Sequence, residues 1–496
     1  MKKASKVFYI AFALVILTVV FGVIAPQAFE KITGNIRSYI DTGFGWYYLM
    51  LMALILIFTF IIIISPYGKI RLGKDSDRPE FSTISWISML FSAGMGIGLV
   101  FYGASEPLSH FAVQPATAEP GTDAAFKESL QRTYYHWGIH VWAMYGIVAL
   151  ALAFFQFRKG EPALISSTLK PIFGKKMDGP LGTLVDVLAV FATVFGVATS
   201  LGFGAAQING GLAYLFGVPQ TSTVQFIIIG AVTILFISSA WSGLNKGIKY
   251  LSNINMILAV ILLILVLVLG PTLPILNMFT ETFGNYAQNL ISLSFQSAPL
   301  DAENRQWLNN WTIFYWAWWI SWAPFVSMFI ARISKGRTIR EFLIGVVLTP
   351  TIFGAFWFAA FGTTAIDLQK SGSDLAGFPP EQSLFAMFSE MPLGFAMSIV
   401  AILLVSTFFI TSADSATFVL GMQSTKGSLH PSNQIKILWG IAQSAVAAIL
   451  LAVGGLAAVQ NTIIAAALPF SLVMILIIVS LFKALNTELK TNRIRK

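Results

Sequence analysis

The chain has 496 residues, 56% of them apolar and 11% charged, with a mean hydropathy of +0.75 and no cysteine. Soluble domains carry about 25% charge, so a soluble enzyme and a disordered chain are excluded, as are disulfides, thiolate nucleophiles and Cys-ligated zinc. The net charge of +9 belongs to loops on one side of a membrane, not to a nucleic-acid surface.

Runs of about 20 mostly apolar residues, enough to cross a bilayer, predict twelve spans. They lie at roughly 8–26, 46–66, 84–110, 134–157, 183–212, 223–240, 252–270, 310–331, 341–363, 394–421, 437–457 and 460–482. The first follows Lys2, Lys3 and Lys6 but no clean small-residue cleavage site follows it, so it counts as a span. With the N-terminus inside, the outer segments hold Lys31, Arg37, Lys127, Arg132, Arg305 and Lys370, and the other 25 of the 31 Lys and Arg lie inside. That bias predicts two cytoplasmic termini. Residues 1–83 form two additional helices, 271–309 an outer loop and 483–496 a short basic tail. Within the loop, 276–293 has apolar residues at helical spacing. It reads as an amphipathic helix lying in the interface, with an ordered loop as the plainer alternative.

Span 3 contains Gly94, Gly96 and Gly98 within five residues. Each costs a helix interior about 1 kcal/mol relative to Ala, which predicts a locally unwound stretch; close helix packing through small residues accounts for them equally well. Span 4 carries Trp137, Trp142 and Tyr145 within roughly a 140° arc of one helix. Span 8 carries Trp316, Trp318, Trp319 and Trp322, and Pro324 is expected to interrupt it. Spans 3 and 8 are five apart, and an odd shift inverts the direction of crossing. Residues 84–270 and 310–482 therefore read as two inverted five-helix repeats, with broken helices at matching places marking a transporter's central site.

Aromatic faces are the usual receptor for a quaternary ammonium, and core packing is the competing reading of these tryptophans. In span 10, Thr411 and Ser412 offer hydroxyl oxygens suited to sodium, or to helix–helix hydrogen bonds. Asp414 reads as a structural or gating ion pair. A rival constellation exists: Glu106 with His110 and His136 with His140, each pair at i,i+4, have the spacing of a zinc site that would make the chain a membrane hydrolase.

The run NWTIFYWAWW at 310–319 resembles the signature of the betaine/choline/carnitine transporter family. GMGIG at 94–98, HWGIHVWAMY at 136–145, GLNKGIK at 243–249 and TSADS at 411–415 agree with it. The resemblance covers nearly the whole chain and is strongest to bacterial sodium-coupled glycine betaine carriers. It implies an all-α, leucine-transporter-like fold in the plasma membrane, no cofactor, no enzymatic activity and a homotrimer. It also implies sodium symport of an osmoprotective compatible solute, with proton-coupled or exchange transport of choline or carnitine as the alternative.

Family roles follow by position. Trp137, Trp142, Tyr145 and Trp319 match an aromatic box for trimethylammonium, and Trp318 and Trp322 match residues lining the path. Independently of the resemblance, N–H groups freed by unwinding at Gly94, Gly96 and Gly98 are expected to meet the substrate carboxylate, with the Trp322 indole N–H as a further candidate donor. Phe408, Thr411 and Ser412, with Ser92 and Met95, match one sodium site; Thr193 and Phe325 match a second. There Val197 replaces an expected hydroxyl, which leaves Thr199 or Ser200 as substitutes. Neutral Gly98 fits a betaine, because an acid would attract choline but repel betaine's carboxylate.

Overall fold

The computed structural model describes residues 4–94, 96–242 and 245–494. These are helical throughout, apart from short connections and one isolated bridge between Arg71 and Thr338. Two long helices come first, α1 (Lys6–Ile24) and α2 (Pro26–Ile64). The third span is divided into α3 (Thr83–Gly94) and α4 (Ile97–Leu108), and the fourth into α5 (Asp123–Trp137) and α6 (Ile139–Ala153). A single turn, α7 (Lys170–Phe173), precedes α8 (Pro180–Phe216), α9 (Ser222–Ser242) and α10 (Asn245–Leu269). The connection after α10 contains α11 (Thr272–Phe295) and α12 (Ala302–Leu308), and the long helices α13 (Phe314–Arg332) and α14 (Ile339–Lys370) follow. A short α15 (Pro380–Ser389), α16 (Gly394–Gln423) and α17 (Asn433–Ile494) complete the chain.

Local chemistry sets many of these ends. Pro26, Pro180 and Pro380 open helices at positions where a missing N–H costs nothing. The side chains of Thr122, Asp301 and Thr338 accept from the N–H groups of Ala125, Asn304 and Glu341, capping α5, α12 and α14.

Ten helical stretches among the described residues are long and apolar enough to cross a membrane. The expected twelve runs differ from these stretches at two places. At 12 residues each, α3 and α4 are about 18 Å long and individually too short for a hydrocarbon core of about 30 Å. The last two runs are merged in α17, where Gly454 and Gly455 leave helical geometry, Gly455 at φ +60°. That backbone is easily reached only without a Cβ.

Three further sequence expectations are corrected. Pro324 does not interrupt its helix: α13 continues through it, because neighbouring helices hold a proline-containing segment in place. The departure from α geometry lies earlier, in a π turn at Asn309–Ile313. Span 4, read as continuous, breaks at Gly138 (φ −98°, ψ −136°). A Cβ there would lie 2.4 Å from the Tyr134 carbonyl oxygen and 2.7 Å from the Tyr286 hydroxyl, so only glycine permits the approach. Residues 276–293 are helical as expected, but one face of α11 is spent on the protein itself. Tyr286 is fully buried and accepts from the Ile139 N–H at 3.0 Å, and Phe279 packs on Phe356. Its exposed apolar residues are Leu273, Leu276, Ile291 and Phe295.

Polar contacts gather at the two ends of the bundle. One end joins Arg37 to Asp41, Asn310 and Asn461, Lys127 to Glu281, and Lys370 to Asp123. The other joins Arg158 to Asp75 and Glu488, and Arg337 to Glu341 and the Phe81 carbonyl. Between them α13 lies against α6 and α8, and α8 against α4, α16 and α17.

Candidate functional site

The site begins at the α3–α4 break. Helix α3 ends with Ser92 in its last turn and Gly94 as its final residue, Gly96 is extended (φ −162°, ψ 179°), and α4 starts at Ile97. Met95 lies outside the described residues, as do Gly243 and Leu244 of the loop motif. Gly96 has no side chain with which to cap α4, so the first N–H groups of that helix have no side-chain acceptor from their own cap. An ideal Cβ on Gly98 would lie 2.7 Å from Cη2 of Trp318 and 2.9 Å from Cη2 of Trp137. The absent side chain is therefore what lets two indoles reach the opening turn of α4.

Around that turn the structure brings together Trp137, Trp318 and Trp319. Trp137 meets Trp319 edge-on at 4.8 Å, and Trp318 stacks on Trp319 at 4.6 Å with an interplanar angle of 12°. Trp142 and Tyr145 form a separate edge-on pair at 5.5 Å. The two groups are tied through backbone. The Trp142 indole donates to the Trp137 carbonyl at 3.1 Å and the Trp319 indole donates to the His136 carbonyl at 2.9 Å. Both acceptors belong to the last turn of α5, whose carbonyls the break at Gly138 frees from continuing the helix. Among the described residues, the buried Tyr145 hydroxyl has no hydrogen-bond partner.

Trp322 stands elsewhere. It packs edge-on against Phe325 and its indole donates to the Gly196 carbonyl at 2.6 Å, so the N–H expected to meet a carboxylate is already engaged. Gly196 makes this crossing of α8 and α13 possible, since a Cβ there would lie 2.8 Å from Trp322. Thr193, one turn earlier, is buried and donates to the Ala189 carbonyl at 2.7 Å, while Thr199 donates to Phe195 at 2.9 Å. Ser200 and Ser321 have buried hydroxyls without hydrogen-bond partners among the described residues. Ser321 was not singled out in the sequence, because a lone serine among tryptophans carries no pattern.

On α16, Phe408 and Thr411 are buried and Ser412 is half-buried. Thr411 accepts from the Asn255 side chain at 3.0 Å and lies 3.0 Å from the Thr407 carbonyl. Gly204 on α8 sits against both Ile97 and Phe409, which places this part of α16 beside the start of α4. Asp414 is buried and accepts from Ser239 at 2.7 Å, with Lys436 as its electrostatic neighbour.

The rival metal constellation comes together only in part. Glu106, His110 and His136 have potential ligand atoms within 4.8 Å of one another. His140 is held apart by Ser294, at 2.8 Å. Glu106 already accepts from Trp137 at 2.8 Å and from Tyr315, and pairs with His136 Nδ1 at 2.7 Å; His136 Nε2 contacts Thr312 at 3.0 Å. Glu106 and Tyr315 are part of the architecture of the aromatic site, a role that sequence spacing did not disclose.

The family model for betaine/carnitine/choline family transporters matches residues 6–490. The chain belongs to that family. It is a multi-pass membrane transporter and not an enzyme, which removes the hydrolase reading. It is 56% identical over 489 residues to the glycine betaine transporter OpuD of Bacillus subtilis, covering 98% of this chain and 96% of that one. It is 41% identical over 487 residues to an ectoine/hydroxyectoine transporter of Virgibacillus pantothenticus, covering 97% and 96%. Its fold is similar to that of a Na+-coupled sialic acid symporter in a substrate-bound outward-open state. The TM-score is 0.50 at 16% identity, over 89% of this chain and 86% of that one.

The crowding at Gly98 gives a direct test. Gly98→Ala should destabilise the purified protein by about 1–3 kcal/mol through overpacking and should change near-ultraviolet circular dichroism as Trp137 and Trp318 shift. An unchanged melting temperature and spectrum would refute the close approach.

Proposed function

We propose that this transporter takes up glycine betaine or a related quaternary-ammonium compatible solute by sodium symport with alternating access, serving osmoprotection. The observation that carries this is the meeting of Trp137, Trp318 and Trp319 with the opening turn of α4 across Gly98. A betaine has a cation that cannot donate a hydrogen bond and a carboxylate a few atoms away. Indole faces suit the first, and N–H groups at a helix N-terminus suit the second. In this reading Trp142, Tyr145 and Trp319 hold the trimethylammonium group, Trp137 closes the box, Trp318 backs it, and Trp322 lines the path. The backbone at Gly94, Gly96 and Gly98 meets the carboxylate. The betaine and ectoine carriers among its relatives support this substrate class.

For sodium, Thr411 and Ser412 with Phe408, Ser92 and Met95 form one site, and Thr193 and Phe325 the other. The unpartnered hydroxyls of Ser200 and Ser321 supply oxygens near the second, where Val197 offers none. Counting α3 with α4 as one crossing and dividing α17 at Gly454 gives twelve crossings. They are arranged as two additional helices followed by the inverted repeats 84–270 and 310–482, with both termini in the cytoplasm of a bacterial cell. The assembly is a homotrimer.

Three outcomes follow from this reading. Uptake of labelled betaine into proteoliposomes should follow an imposed sodium gradient, and the Thr411→Ala, Ser412→Ala double variant should lose that drive while remaining monodisperse. Full uptake on a proton gradient in sodium-free medium would sink the sodium assignment. Trp319→Leu keeps apolarity but deletes the ring quadrupole, a contact worth roughly 2 kcal/mol in a desolvated site. Betaine affinity measured by calorimetry should fall about 30-fold, and Trp319→Phe should cost less; near-wild-type affinity in Trp319→Leu would end the aromatic-box assignment. Light scattering in detergent should report three chains, and serine at Leu273, Leu276 and Ile291 together should shift it toward one; a monomeric wild type would exclude the trimer.

A further inference from the structure

We propose that Glu106 is a positioning residue that fixes and polarises the aromatic site, and so makes it selective for a cation over a neutral group of the same shape. The inference rests on the betaine reading above and goes beyond it, because Glu106 belongs to neither the aromatic box nor the sodium sites.

Glu106 on α4 is fully buried. One carboxylate oxygen, Oε2, accepts from the Trp137 indole at 2.8 Å and from the Tyr315 hydroxyl. The other, Oε1, lies 2.7 Å from His136 Nδ1 and 3.4 Å from His110 Nε2. An indole N–H can only donate, so Oε2 acts as an acceptor, and three hydrogen-bond partners converging on two oxygens, with the His110 ring as a close neighbour, is a pattern that suits an ionised carboxylate. Hydrogen bonds to such an oxygen are stronger than neutral ones and hold the donor's geometry.

The groups it holds are the ones that shape the box. Trp137 is held directly. The Tyr315 ring lies 5.7 Å from Trp319 and 6.0 Å from Trp318, at interplanar angles of 23° and 25°. His136 supplies the carbonyl that receives the Trp319 indole at 2.9 Å. One carboxylate thus governs the placement of three tryptophans from behind their edges.

Its charge has a second consequence. Hydrogen-bonded groups polarise one another in a low-dielectric interior. An anionic acceptor on the Trp137 N–H and the Tyr315 O–H pushes electron density toward their π faces, strengthening the attraction for a cation. Negative charge behind the rings also attracts an ammonium directly. A neutral tert-butyl group fills the same space but gains from neither effect.

The experiment compares two probes on purified protein with sodium present: glycine betaine and 3,3-dimethylbutanoate, its isostere with carbon in place of nitrogen. Wild type should prefer betaine. Glu106→Gln keeps the shape and loses the charge; it should weaken betaine binding about tenfold and leave the isostere within about twofold, closing the ratio. Trp137→Phe, which keeps a π face but cuts the link to Oε2, should lower the ratio too and should shrink the further effect of Glu106→Gln in the double variant. It also provides the answer if Glu106→Gln fails to fold. Equal weakening of both probes in the variants would mark Glu106 as structural only and overturn the proposal, as would an unchanged ratio. Trp319→Leu separates the two levels: normal betaine affinity there defeats the aromatic-box reading itself, whereas weakened affinity there with an unchanged ratio in Glu106→Gln defeats this proposal alone.

Discussion

A carboxylate enclosed within membrane-spanning helices must be given donors, and the site is organised around how Glu106 meets that demand. Its hydrogen-bond partners come from α5 and α13. Removing water makes each of these bonds strong and makes a missing one expensive. The three helices α4, α5 and α13 are therefore held in one relative arrangement, and the tryptophans they carry are held with them. Packing alone would allow flat rings to slide over one another; hydrogen bonds at their edges do not.

The same logic applies to backbone. A broken helix in a membrane leaves N–H and carbonyl groups that need partners. At Gly138 the carbonyls of His136 and Trp137 are taken by the indoles of Trp319 and Trp142, and the Ile139 N–H is taken by Tyr286 of α11. The break is thus stabilised by two of the tryptophans and by α11. At Gly96 the first N–H groups of α4 begin beside the rings, with no side-chain acceptor from their own cap, which is why the proposed reading gives them the solute's carboxylate.

Each end of the bundle is fastened by arginine side chains. At the end bearing Glu488, the Arg158 guanidinium reaches Asp75, Glu488 and the carbonyls of Arg71 and Gly73. The Arg337 guanidinium lies 4.0 Å over the Trp86 ring at the start of α3. The Arg158 contacts join the end of the fourth span to the segment before α3 and to α17, and the Arg337 contact joins the turn between α13 and α14 to α3. At the other end Arg37 joins α2 to Asn310 and Asn461.

Much of this was legible in the sequence, because the bilayer imposes constraints that act along the chain. Composition and run length disclosed an all-helical membrane protein. The glycines at 94, 96 and 98 disclosed a break, since their conformational cost is local. The tryptophans of spans 4 and 8 disclosed an aromatic cluster through residue type. Pro324 misled, because a proline's lost hydrogen bond can be absorbed by neighbours that the sequence does not name. Gly138 was passed over, because one glycine becomes a break only when Tyr134 and Tyr286 crowd it. Glu106 could be seen at i,i+4 to His110, a spacing that suggested a metal. That it instead receives Trp137, Tyr315 and His136 was decided by tertiary structure, because those donors lie between 30 and 209 positions away and only the packing of α4, α5 and α13 brings them to one carboxylate.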